Sequence, residues 1–86
     1  KPYLCEVFVS DEVLKYFKKK KFFGSQKITE KKDINGFTKI EFMITSDEMI
    51  LMLARRFFPN FIIKTPKSAK VKFDEMIKKY LNFLKI

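Results

Sequence analysis

The chain has 86 residues, 47% of them hydrophobic and only two of them glycine, which bounds it to one globular domain and excludes a disordered segment. Lys and Arg number 19 against 10 Asp and Glu, a net charge of +9, so phosphate or acidic protein surfaces are the partners its field attracts. There is no histidine and a single cysteine, Cys5, which removes imidazole chemistry, most zinc sites, a thiol dyad and an internal disulfide.

Tyr3 to Val9 is β-branched and aromatic, and its alternation places Cys5, Val7 and Val9 on one side and Leu4, Glu6 and Phe8 on the other. Pro2 precedes it, where a missing N–H costs the ladder least. Ser10 is a candidate N-cap with Asp11 and Glu12 behind it, and Val13, Leu14 and Phe17 follow at helical spacing. That helix runs into Lys18–Lys21, with Gly24 as the expected stop. Gln26 to Asp33 is mostly polar. Asn35-Gly36 predicts a two-residue type I′ turn joining it to Thr38–Ile44, and Lys27, Lys31 and Lys32 mark it as an edge strand. Ser46 with Asp47 and Glu48 opens a second helix carrying Met49, Ile50, Leu53, Ala54 and Phe57, ended by Pro59 and Asn60. Phe61–Ile63 is a short apolar strand, Thr65-Pro66 a turn, and Ser68 the expected start of a last helix. Its stripe is Phe73, Met76, Ile77, Tyr80, Leu81 and Leu84.

The order β-α-β-β-α-β-α predicts an α+β, ferredoxin-like fold with an additional C-terminal helix. Right-handed crossovers place the first two helices on one face of a four-stranded antiparallel sheet.

Catalytic chemistry is scarce. No glycine-rich phosphate loop is present. The acidic pairs Asp11-Glu12, Asp47-Glu48 and Asp74-Glu75 sit at or near expected helix starts, where the helix dipole accounts for them. The reading is a non-enzymatic domain with no metal and no cofactor. All but two of the cations are lysines, mobile and well-hydrated charges; only Arg55 and Arg56 offer a planar fork for shaped anion contact. The candidate nucleic-acid or anion contacts are therefore Arg55, Arg56, Lys67 and Lys70, with Lys18, Lys19, Lys20 and Lys21 behind them. Lys64, Lys67, Lys70 and Lys72 crowd the last turn and are candidates for one patch.

If helices cover Cys5, Val7, Val9, Ile40 and Phe42, then Leu4, Phe8, Phe37 and Met43 form an open sheet face. Such a face either docks a partner or stacks single-stranded bases as RNA-recognition motifs do. The third strand reads GFTKIEF and lacks the basic-Gly-aromatic-Gly-aromatic run of those motifs.

Asn35-Gly36, the strand FTKIEFMI, the helix SDEMILMLARRFF, the strand FIIKTP and the helix KSAKVKFDEMIKKYLNFL together resemble the C-terminal extension (WCX) domain of WYL-domain bacterial transcriptional regulators. Gly36, Leu53, Pro66 and Tyr80-Leu81 fill the punctuating slots of that family; Phe58-Pro59-Asn60 departs from it where a glycine is usual. The Trp-Tyr-Leu motif of the neighbouring WYL domain is absent, so that domain's ligand residues do not carry over. The resemblance implies a cytoplasmic, dimeric regulator with an N-terminal DNA-binding domain and a central domain that senses single-stranded nucleic acid or a nucleotide. This piece would then contribute dimer contacts and help complete the response. The chain opens Lys-Pro-Tyr and passes directly into a strand, and it is expected to be a single domain, residues 1–86, cut from a longer protein. No apolar run approaches eighteen residues, so no membrane segment is expected. The alternative is an autonomous single-stranded RNA- or DNA-binding module using the open sheet face.

Overall fold

The computed structural model describes residues 1–85. The elements are β1 (Tyr3–Val9), α1 (Asp11–Lys19), β2 (Lys27–Lys32), β3 (Thr38–Ile44), α2 (Asp47–Phe57), β4 (Phe61–Thr65) and α3 (Lys67–Phe83). The four strands form one antiparallel sheet in the order β2-β3-β1-β4. This is the α+β, ferredoxin-like arrangement with a third helix that the element order predicts.

Alternation decides which face is covered. β1 and β3 pair along their full length, and Cys5↔Phe42 and Val7↔Ile40 stand opposite one another, all four nearly or fully buried. Helix α1 lays Val13, Leu14 and Phe17 onto this face; α2 adds Ile50, Leu51, Leu53 and Ala54; α3 adds only Ala69 and Phe73. Leu51 is an addition to the stripe expected for α2. Aromatic rings close the core beyond the end of α1. Phe17 sits 4.8 Å from Phe22 and 6.1 Å from Phe57, and Phe23 stacks on Phe42 at 4.3 Å. Each fully buried side chain of this size contributes about 1.5–3 kcal/mol through removal from water.

Four local expectations are corrected. Helix α1 ends at Lys19 with an extended C-cap at Lys20, and Gly24 has no left-handed conformation. The chain leaves the helix because Phe22 and Phe23 return to the core. Gln26 secures that exit: its Nε2 donates to the Phe17 carbonyl at 2.9 Å, and its Oε1 accepts from the Phe22 N–H at 3.0 Å. One orphan carbonyl at a helix end is thereby satisfied by a side chain nine residues on.

The β2–β3 connection is not a two-residue type I′ turn. Only Gly36 takes positive φ (78°), so Asn35 does not supply the second left-handed position that turn requires. Gly36 N–H donates to the Asp33 carbonyl at 3.0 Å, and Asp33 N–H to the Phe37 carbonyl at 3.0 Å, giving a three-residue connection. The Asp33 carboxylate holds it, accepting from Asn35 N–H at 2.8 Å and Phe37 N–H at 2.9 Å.

Ser10 and Ser46 occupy N-cap positions, but neither hydroxyl makes a capping bond. Their carbonyls accept the first helical N–H groups instead, and Asp11, Glu12, Asp47 and Glu48 meet the dipole. The last helix begins at Lys67 with Pro66 as its N-cap, not at Ser68. Asp74 and Glu75 therefore lie within α3 and not at its start.

The two sheet edges differ. On β2, the three residues between Ile28 and Lys32 stand against the single residue of β3 between Ile40 and Thr38. The Thr29 hydroxyl fills this bulge, donating to the Lys39 carbonyl at 3.0 Å and accepting from Lys31 N–H at 3.2 Å. On the β4 side, Asp47 at the start of α2 ties three elements together. Tyr3 donates to it from β1, and Ser68 and Lys72 reach it from α3.

Candidate functional site

Helix α2 separates the two arginines. Consecutive residues on a helix stand about 100° apart, so Arg55 and Arg56 leave in different directions. Arg55 faces α3, paired to Glu48 at 2.8 Å and 3.9 Å from the Met76 sulfur. Arg56 faces the end of α1, its guanidinium 5.1 Å above the Phe57 ring and 5.9 Å from that of Phe22. Lys20 reaches the same Phe22 ring at 5.5 Å. Two cations thus converge on one aromatic ring, whose quadrupole draws both. Lys18, Lys19 and Lys21 adjoin Lys20 in the chain, and the negative end of the α1 dipole favours charge of this sign there. Among the described residues, none of Lys18–Lys21 or Arg56 has a carboxylate partner.

The remaining cations do not join this corner. Lys70 pairs with Asp74 at 3.0 Å one turn along α3, and Lys72 with Asp47 at 3.5 Å. Lys64 lies over the Phe8 ring at 5.7 Å, on the uncovered side of the sheet. Lys64 is thereby set on the side of the sheet away from α3, the helix that carries Lys67, Lys70 and Lys72. The eight candidate anion contacts divide into Arg56 with Lys18–Lys21 at one corner, and Arg55, Lys67 and Lys70 along α2 and α3.

The uncovered sheet face carries Leu4 and Met43, both well exposed, and Phe8 and Phe37, both half-buried. At its centre Glu6 stands directly opposite Glu41 across the β1–β3 ladder, a like-charge pairing that is unfavourable by itself. Lys39 resolves it, at 2.5 Å from Glu6 and 3.3 Å from Glu41, with only 6% of its side chain exposed. The Thr65 hydroxyl adds a bond to Glu6 at 3.3 Å. The Lys39 hydrogen bond holds the Glu6 carboxyl below its usual range, and the same bond raises the Lys39 ammonium above its own. This face is a closed charge network rimmed by apolar side chains. Two carboxylates at its centre and a lysine over Phe8 suit it poorly to stacking bases along a phosphate backbone.

Cys5 is buried, and desolvation pushes its thiol up to about 12, so it stays protonated and inert at neutral pH. Tyr3 is likewise raised to about 12, chiefly by its bond to the Asp47 carboxylate. The described residues contain no cluster of carboxylates and thiols able to hold a metal ion. No described helix is long and apolar enough to cross a membrane.

Sequence reasoning named Arg56 and the lysine run but missed Phe22, the ring that unites them, and missed Lys39. Phe22 follows directly on the lysines, so its place among them was open to inspection. The alternation of Lys39 with Glu41 on one strand and Glu6 on another was visible too, but not the register that brings them together. The chain matches no protein-family model and no curated protein.

Proposed function

We propose that the chain is a non-enzymatic regulatory domain of the WCX type. It would act within a cytoplasmic, dimeric WYL-type regulator of transcription and take part in its response to a nucleic-acid or nucleotide effector. The observation that carries this reading is the unneutralised cationic corner, Lys18–Lys21 with Arg56 and Lys20 set on Phe22. A phosphate backbone is attracted to such a corner at long range, and the arginine supplies the fork for a shaped contact. The ferredoxin-like order with its extra helix supports the same reading, as does a sheet face whose apolar rim suits contact with neighbouring domains or a sister subunit.

The test is a salt-dependent titration with a single-stranded oligothymidylate, using the 86-residue chain and the longer parent protein. Binding is expected in the parent at low salt. Arg56→Ala and Lys20→Ala should each lower the slope of log K against log salt by about 0.7, the value for one lost single-strand contact. A parent that binds no single strand at low salt overturns the proposal. The alternative module, stacking bases on the sheet, predicts that Phe8→Ala abolishes binding by the isolated chain; the corner reading predicts no change.

A further inference from the structure

The cationic corner has an exposed ring at its margin. Tyr16 lies on α1 one turn before Lys20, and 47% of its surface is open to solvent. Its ring packs on Phe57 at 5.7 Å, so the side turned away from Phe57 is the open one. Phe57 in turn lies 5.1 Å under Arg56 and stands 6.2 Å from Phe22, the ring that Lys20 and Arg56 share. The three rings form one aromatic row behind the cations. Phe22 and Phe57 are packed against the core, and Tyr16 is the exposed member. Phe22 itself is a poor platform for a base. It is 4.8 Å from Phe17 and set under two cations, so a base would reach it only by displacing one of them.

Helical spacing puts Lys19 and Lys20 three and four residues after Tyr16, on its side of the helix and up to about 6 Å further along the axis. The bond from Lys20 N–H to the Tyr16 carbonyl, 3.1 Å, keeps that spacing at the end of α1. Glu12, four residues before Tyr16, repels an anion in the other direction. No further acidic residue occurs before Glu30, and none occurs between Glu48 and Asp74, the stretch that supplies Arg56. A chain of phosphates therefore has one favourable course from the ring: over Lys19 and Lys20 towards Arg56.

We infer that Tyr16 stacks an unpaired base of a single-stranded nucleic acid whose phosphates follow Lys19, Lys20 and Arg56. The inference rests on the nucleic-acid reading of the corner and adds to it the ring that selects a single strand. An exposed aromatic beside a cationic track holds single strands with little regard to sequence, because every base has a π-face to offer. In a duplex both faces of a base are covered by its neighbours, so a duplex gains the phosphate contacts alone. A mononucleotide gains the ring and too few of the cations. The site thus prefers a strand to either.

The test titrates the 86-residue chain at low salt with a short oligothymidylate, with the same strand lacking its bases, and with a duplex. Tyr16→Ala should weaken oligothymidylate about tenfold and leave the salt slope unchanged, whereas Lys20→Ala lowers the slope. The abasic strand and the duplex should bind the Tyr16→Ala and unsubstituted chains alike. Tyr16→Leu, which keeps an apolar cover over Phe57, takes the place of Tyr16→Ala if circular dichroism shows that variant unfolded. Tyr16→Phe should keep full affinity. The chain has no tryptophan, so its emission comes from Tyr3, Tyr16 and Tyr80, and quenching by bound oligothymidylate should disappear in Tyr16→Phe. Full affinity without the ring, an equal loss on the abasic strand, a loss in Tyr16→Phe, or quenching that survives it overturns the inference and leaves the corner reading in place. No binding of oligothymidylate by the chain also overturns the inference; the corner reading falls only if the longer parent fails to bind as well.

Discussion

The two faces of the sheet are built from alternate residues of the same strands and are stabilised in different ways. On the covered face Cys5, Val7, Phe42 and Ile40 meet the helices, and the driving force is hydrocarbon removed from water. On the uncovered face Glu6, Lys39 and Glu41 close on one another, and what holds them is charge pairing at low exposure. The lesson is that a face without a helical lid need not be bare. Lys39 is as buried as a core residue because its own neighbours, and no other layer, screen it.

The largest effect expected is on the covered side. Phe42→Ala should cost about 3–5 kcal/mol in urea unfolding, since it empties a packed site and strands Phe23. Phe8→Ala on the uncovered side should cost about 1 kcal/mol. Equal costs would mean that both faces are cores and would end the comparison.

Next comes the charge network. Lys39→Met leaves Glu6 and Glu41 facing each other half-buried, and should lower the melting temperature more than any other single lysine substitution. Adding Glu6→Leu and Glu41→Leu to it should restore the melting temperature to the starting value or above, because a well-packed apolar cluster replaces an ion triad without loss. If the triple variant stays unstable, the network contributes more than mutual neutralisation.

Acid and base then probe the carboxylates and their donors. Glu6 and Asp47 are held below their ordinary 4.5 and 3.8, so their contribution is full above about pH 4.5 and is lost as the pH falls through the lower folded values. Tyr3, raised from 10.0 to about 12, acts in the opposite sense: its contribution is full below pH 10 and is lost between there and about 12. Lys39, raised above 10.5, adds to that alkaline loss. Cys5, raised from 9.0 to about 12, begins that alkaline loss at about pH 9, so stability should be level between about pH 5 and 9. Cys5 gives an independent readout, since its thiol should resist alkylation across that plateau and react when the fold opens.

Smaller still, Gln26→Ala should cost about 1 kcal/mol by freeing the Phe17 carbonyl. Lys72→Ala should cost less than about 1 kcal/mol, because that lysine is 59% exposed and salt screens its pair with Asp47.

The architecture was largely legible in the sequence because periodicity reports burial. Period two in Tyr3–Val9 and Thr38–Ile44 gave both strands and their inward residues, and period 3.6 gave the faces of α1 and α2. What escaped depends on partners distant in the chain. Gly24 reads as a helix stop by composition, yet the exit is set by Phe22, Phe23 and Gln26. Asn35-Gly36 reads as a type I′ turn, yet Asp33 supplies the bonds that make a longer connection the better closure. For the candidate site, charge identity was legible and convergence was not. Arg55 and Arg56 look like one feature in a string and are two on a helix, while Lys20 and Arg56, far apart in the string, share a ring.

The bulge in β2 has a consequence for life at high concentration. An outer strand with a straight row of free amides invites another molecule to add itself, and repetition of that step builds fibrils. Here the row is broken between Ile28 and Lys32, a threonine hydroxyl occupies the gap, and three lysines project from the segment. The strand is thereby a dead end for intermolecular growth. Replacing Thr29 with valine and Lys31 with isoleucine should turn that dead end into a template and shorten the lag before thioflavin-positive aggregates form.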